Sequence, residues 1–124
     1  MKTIDWYQSC AYNEPQKHLF HREARKRLKA LAEALKFPRE AYDIRSNKAG
    51  IAVSGEATLH AENLYVQVSQ PATGSDSGIL IRTCKGRKDY TGGRNNFAPL
   101  SYLDNIGGLA GYCQRVLDQE GGRP

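Results

Sequence analysis

The stretch Leu64-Tyr65-Val66-Gln67-Val68 decides the fold. Leu64, Val66 and Val68 alternate with Tyr65 and Gln67, and a period of two places the apolar set on one face of a strand. Immediately upstream, residues 60–63 read as a turn. Before it, Ala57 and Leu59 continue a strand begun by Ile51 and Val53, with Ser54-Gly55 marking a bulge or bend. Further upstream, Tyr42 and Ile44 share one face of a short strand, and residues 47–50 supply turn chemistry. Downstream, Ile79 and Ile81 mark a fourth strand with Leu80 on its opposite face. The connections are short, which favours an antiparallel meander of four strands.

Helical spacing flanks this block. Phe20, Ala24, Leu28, Leu31 and Leu35 recur three or four apart and predict a long helix over residues 15–36. Asn13 suits its N-cap, Pro15 its first turn, and Pro38 its stop. Beyond a long polar loop from residue 85 to about 98, Leu103, Ile106, Ala110, Cys113 and Leu117 predict a final helix. Ser101 and Asp104 resemble a capping box, and Gly107-Gly108 weakens that helix. The segment around Ile4, Trp6 and Tyr7 fits strand or helix equally. The order predicts an α+β fold: a four-stranded antiparallel sheet with a long N-terminal and a C-terminal helix packed on one face. Residues 1–118 form one domain and 119–124 a disordered tail, with residues 70–77 a second candidate for disorder.

The chain has 124 residues, with 40% apolar and 25% charged side chains. That length and composition fit one globular domain able to bury a core without staples. No apolar run approaches a membrane span, and residues 1–5 lack a secretory pattern, so the expected place is the cytoplasm. Three cysteines, Cys10, Cys84 and Cys113, form no C-x-x-C pair and read as free thiols in a reducing compartment. Cys10 with His18 and His21, completed by Cys84 or His60, is a conceivable metal set, but zinc-finger spacing is absent. No metal and no cofactor are expected.

Charge is uneven. Eighteen Lys/Arg against thirteen Asp/Glu give +5. Residues 14–36 carry seven cations and three acids, residues 49–81 no cation and three acids, and residues 82–94 five cations and one acid. In the first block Arg22, Arg25, Lys26 and Lys29 stand at i, i+3, i+4 and i+7, a helical ridge within roughly 10 Å of axial rise. Such a ridge can meet consecutive phosphates, although it also serves as an ordinary solvated face. The second block is Arg82, Lys85, Arg87 and Lys88 running into Tyr90, Gly92, Gly93 and Arg94. Its glycines allow an anion-binding nest, and Tyr90 or Phe97 offers a surface for stacking. The P-loop spacing is absent. Among acid–base candidates, Asp43, Glu56, His60, Glu62 and Asp89 show no converging pattern, and His60 and Glu62, flanking a hairpin turn, read as surface residues. No enzyme is expected.

The segment Arg82-Thr83-Cys84-Lys85-Gly86-Arg87-Lys88-Asp89-Tyr90-Thr91-Gly92-Gly93-Arg94-Asn95-Asn96-Phe97-Ala98-Pro99-Leu100 is similar to small accessory proteins of bacterial plasmids and integrative mobile elements. The resemblance covers most of the chain and transfers no catalytic motif. It implies a bacterial cytosol, and either nucleic-acid binding or the blocking of host defence complexes such as CRISPR effectors. The expectation is therefore a small basic, non-enzymatic binding module. Its two cationic segments would fold into one platform that contacts the DNA or RNA backbone without strong sequence specificity. The alternative partner is an acidic protein surface, in a module that inhibits a nucleoprotein complex.

Overall fold

A computed structural model describes residues 4–50, 54–70, 78–86, 89 and 93–121. Helix α1 spans Glu14–Ala34. The Asn13 side chain accepts from the Gln16 N–H and caps its start. The helix stops earlier than Pro38 requires. Lys36 turns left-handed at φ 63°, and the N–H groups of Lys36 and Phe37 reach back to the carbonyls of Glu33 and Ala32. This is the Schellman closure, which satisfies the last carbonyls of the helix.

Five antiparallel strands follow in sequence order: β1 Tyr42–Asn47, β2 Glu56–Ala61, β3 Leu64–Ser69, β4 Ile79–Thr83 and β5 Asn96–Ala98. The expected four-stranded meander is thus extended by one. β5 is only three residues long, too short for alternation to reveal, and pairs Ala98 with Ile79 and Phe97 with Leu80. Residues 51–53 lie outside the described residues, so the strand expected to begin there is described only from Glu56. Gly55 falls where a bulge or bend is expected. It precedes β2 at φ 76°, pressed on the Asn47 carbonyl where a Cβ would collide.

The register sorts the sheet into two faces. Tyr42, Ile44 and Ser46 align with Ala61, Leu59 and Ala57, then with Val66, Val68, Ile79 and Ile81. This face meets Phe20, Ala24, Leu28 and Leu31 of α1 and Leu109, Cys113 and Val116 of the second helix in one buried core. That helix, α2, spans Ile106–Val116 after a 3-10 turn at Leu100–Asp104. Its cap is Asn105, which accepts from the Gly108 N–H, rather than the expected Ser101–Asp104 box. Gly108 has no Cβ to displace the Asn105 side chain. Residues 4–13 form neither strand nor helix. Trp6 is buried, donates to Asp104 Oδ1 at 3.1 Å and lies edge-on to Phe20, while Gln70 donates to the carbonyls of Trp6 and Gln8. Leu117–Gly121 continues past α2 as a π-type turn; residues 122–124 of the expected tail lie outside the described residues.

Candidate functional site

α1 lies over the β1–β2 end of the sheet, and β1 is an edge strand. Contacts fix which flank of the helix faces that edge. Arg25 donates to Ser46 Oγ on β1 at 2.8 Å, and Lys48, one residue past β1, reaches His18 Nδ1 at 3.4 Å. At 3.6 residues per turn, Arg22 and Lys29 stand within about 60° of Arg25 around the axis, on the same flank. The exposed ridge of α1 therefore continues through Arg25 and Lys48 onto β1, where Arg45 is exposed. Arg39, also exposed, stacks over Tyr42 at the start of the strand, 5.0 Å from its ring centre. The result is a basic belt running from α1 around the β1 edge.

Acids temper the belt little. Glu23 sits 3.6 Å from both Arg22 and Lys26, one carboxylate for two cations whose side chains remain 65% and 66% exposed. Glu33, one turn beyond Lys29 on the same ridge, interrupts it, and Glu40 is the next exposed acid in sequence. Arg25 is held less freely. It begins a chain in which Ser46 donates to His21 Nδ1 at 3.1 Å and His21 Nε2 donates to the Ser54 carbonyl at 2.7 Å. Burial lowers the pKa of His21 and keeps it neutral.

Among the described residues, the other face of the sheet carries no helix. Asp43, His60, Tyr65 and Arg82 line up across β1 to β4, and Arg45, Thr58, Gln67, Leu80 and Phe97 form the next row. His60 is fully buried, against the expectation of a surface residue. Its Nε2 donates to the Gly86 carbonyl at 3.0 Å, so Nδ1 is the acceptor for Arg45, at 3.3 Å. Burial pushes its pKa down, and Arg45 and Arg82 add to that, so the ring is the neutral Nε2–H tautomer. Tyr65 meets His60 edge-on at 5.1 Å, carries the Arg82 guanidinium 4.5 Å above its ring and donates to Gln67. Beside this row an open groove of about 290 Å³ is lined by Arg45, Ser46, Asn47, Glu56, Thr58 and Tyr65.

Of the two cationic segments expected to share one platform, the described residues show the first together and the second only in part. Arg22, Arg25, Lys26 and Lys29 come together on the helix side, whereas Arg82 points from the opposite sheet face, because its register partner is Tyr65 and not Val66. Lys85 and Arg94 are exposed in the β4–β5 connection, and Gly93 takes φ 82° against Thr83. Arg87, Lys88, Tyr90 and Gly92 lie outside the described residues. Phe97 is 53% exposed on the open face. Arg45 and Lys48, which complete the belt, were missed because they sit in a segment of mixed charge. Only the edge position of β1 gives them meaning.

The cysteines do not converge with the histidines. Cys10 is buried with its thiol against the carbonyls of Gln8 and Gln16, and His60 lies on the open face. Among the described residues no group of three or more His, Cys, Asp or Glu is placed to hold a metal, and no helix is long and apolar enough to cross a membrane. Fold and surface together define an α+β domain with a five-stranded meander and a cationic edge. No protein-family model, no curated protein and no solved structure matches the chain.

Proposed function

We propose that the chain is a small non-enzymatic binding module that grips the phosphate backbone of nucleic acid along the belt, without strong sequence preference. The observation that carries this reading is the continuity of Arg22, Lys26 and Lys29 on α1 with Lys48 and Arg45 at the β1 edge. Cations set about 6 to 10 Å apart along a rigid helix axis can engage neighbouring phosphates and release their counterions. The two buried histidines support binding over acid–base chemistry, since His21 and His60 use both ring nitrogens in hydrogen bonds within the fold, while exposed His18 sits beside Lys48 of the belt. Fluorescence anisotropy with labelled oligonucleotides of unrelated sequence tests it. Binding at low salt that weakens steeply as salt rises is expected, and no binding at low salt refutes it.

A second reading draws on Phe97, exposed beside Leu80 on the open face, as a protein hot spot. In it the chain is an interaction module of a mobile element that inhibits a host nucleoprotein complex. It requires a stoichiometric protein partner that survives nuclease treatment and is lost in Phe97→Ala.

A further inference from the structure

Resting on the nucleic-acid reading above, we infer that protonation of His21 unlatches Arg25 from β1 and adds it to the belt, so that the site grips its polyanion harder in acid. Of the ridge cations Arg25 alone is half-buried, tied to Ser46 Oγ at 2.8 Å, whereas Arg22, Lys26 and Lys29 are exposed. The tie depends on where the protons sit in one row of groups. Arg25 can only donate, so Ser46 Oγ accepts from it and has one proton left to give. His21 Nε2 must carry hydrogen to donate to the Ser54 carbonyl at 2.7 Å, which leaves Nδ1 to accept that proton from Ser46 at 3.1 Å. A proton on Nδ1 reverses this end of the row. Two donors then converge on one hydroxyl oxygen, and the hydroxyl proton loses its acceptor.

The conflict resolves at Arg25 because the other members are fixed. The His21 ring is fully buried, lies edge-on to Phe20 at 5.5 Å and keeps its bond to Ser54. Among the described residues, the charged groups acting on it are all cations: Lys17 and Arg25 from α1 and Lys48 from the turn after β1. Lys17 is buried and donates to the Gly50 carbonyl at 2.8 Å, and Lys48 is already exposed beside His18. Arg25 meets the new charge through Ser46, and it stands on the flank of α1 that carries Arg22 and Lys29 toward solvent. Burial first, then the three cations, keeps the free ring neutral. The coupling runs both ways: a phosphate that draws Arg25 outward frees Ser46 to accept from His21, so a bound polyanion favours the protonated ring.

The test uses the full chain carrying His18→Gln, which takes the exposed histidine beside Lys48 out of the pH response. Anisotropy with a labelled single strand gives the slope of log K against log salt in half-unit steps from pH 7.5 to 5, with circular dichroism recorded at each step. One added phosphate contact contributes about 0.7 to the slope, so the loss of affinity between 50 and 200 mM salt is expected to grow from about fiftyfold at pH 7.5 to about 130-fold in acid. Adding Arg25→Ala is expected to abolish that growth. Adding His21→Gln is expected to do the same, since its amide retains a donor and does not titrate; if that buried variant does not fold, Arg25→Ala decides. A slope that ignores pH, a growth that persists in Arg25→Ala, or loss of the native spectrum before the slope changes overturns the inference and leaves the belt standing. Failure of the strand to bind at low salt at every pH overturns the nucleic-acid reading and this inference with it.

Discussion

The sharpest prediction concerns salt. Of the six exposed belt cations, Arg39 stacks over Tyr42 and Arg45 turns to His60, and the other four, Arg22, Lys26, Lys29 and Lys48, are in position to meet phosphates. Arg22 and Lys29 are seven residues apart, roughly 10 Å along α1. Each phosphate neutralised on a single strand contributes about 0.7 to the slope of log K against log salt. Four such contacts give a slope near −2.8, a loss of about fiftyfold between 50 and 200 mM salt. Replacing Arg22, Lys26 and Lys29 together by Ala leaves one contact, so the slope falls to about −0.7 and the same change in salt costs only two- to threefold. All three positions are exposed and alanine favours helix, so the triple variant keeps its fold. Anisotropy titrations of a labelled single strand at five salt concentrations measure both slopes. The paired control is Lys85→Ala with Arg94→Ala, in the β4–β5 connection. It should leave the slope unchanged. A control slope that drops as far as the triple variant's, or a triple variant with the parent slope, refutes the belt as the contact surface.

Other outcomes follow from the interior. Leu28→Ala empties a site at the centre of the α1–sheet contact and should cost about 2–5 kcal/mol, read as a fall in the urea midpoint with unchanged slope. His21 and His60 have folded pKa values below the ordinary 6.5, so they bind protons more weakly folded than unfolded. The stability they support is complete above about pH 6.5 and declines as pH falls below it, by at most about 1.4 kcal/mol per pH unit for each ring; urea midpoints from pH 7.5 to 5 test this, and a flat profile contradicts it. Burial pushes the Cys113 thiol up to about 12, so Cys113 should resist a thiol-specific disulfide reagent at pH 8 in the native state, while half-buried Cys84 reacts first. Gly55→Ala places a Cβ against the Asn47 carbonyl in a left-handed conformation and should destabilise by about 1 kcal/mol or more, measured by thermal unfolding.

Most of the fold is legible in the chain because two periodicities carry it. The apolar stripe from Phe20 to Leu31 and the alternation from Leu64 to Val68 are backbone geometry written in side chains, and both reappear in one core. What escapes is what periodicity does not encode. Three residues of β5 are too few to show alternation, and their partner is fixed by tertiary pairing with Ile79 and Leu80. The α1 terminus is set by Lys36 in a left-handed conformation, a role usually signalled by glycine. His60 sits next to a turn yet is buried, because the segment after β4 folds back and gives it the Gly86 carbonyl. The site is less legible still. A run of cations in sequence suggests a block, but a surface is built by register. Arg82 belongs to a basic run and ends on the face away from α1, while Arg45 and Lys48, separated by Ser46 and Asn47 and flanked by Asp43, join the ridge.

The cations of β1 also have a simpler use, and the two uses make different demands. An edge strand exposes unpaired backbone groups that invite another strand, and charge there blocks such pairing. Arg45 and Lys48 would suffice for that task, and their position along the helix axis would be immaterial. Edge protection does not require Arg22 and Lys29 to stand on the flank of α1 nearest that edge, nor Arg25 to be fastened to Ser46 by a hydrogen bond of 2.8 Å. It would be served equally by cations on any strand surface, including the β5 edge, where Asn96, Phe97 and Ala98 carry none. The alignment of a helix ridge with one sheet edge and not the other is therefore the feature that protection leaves unexplained and a polyanion contact requires.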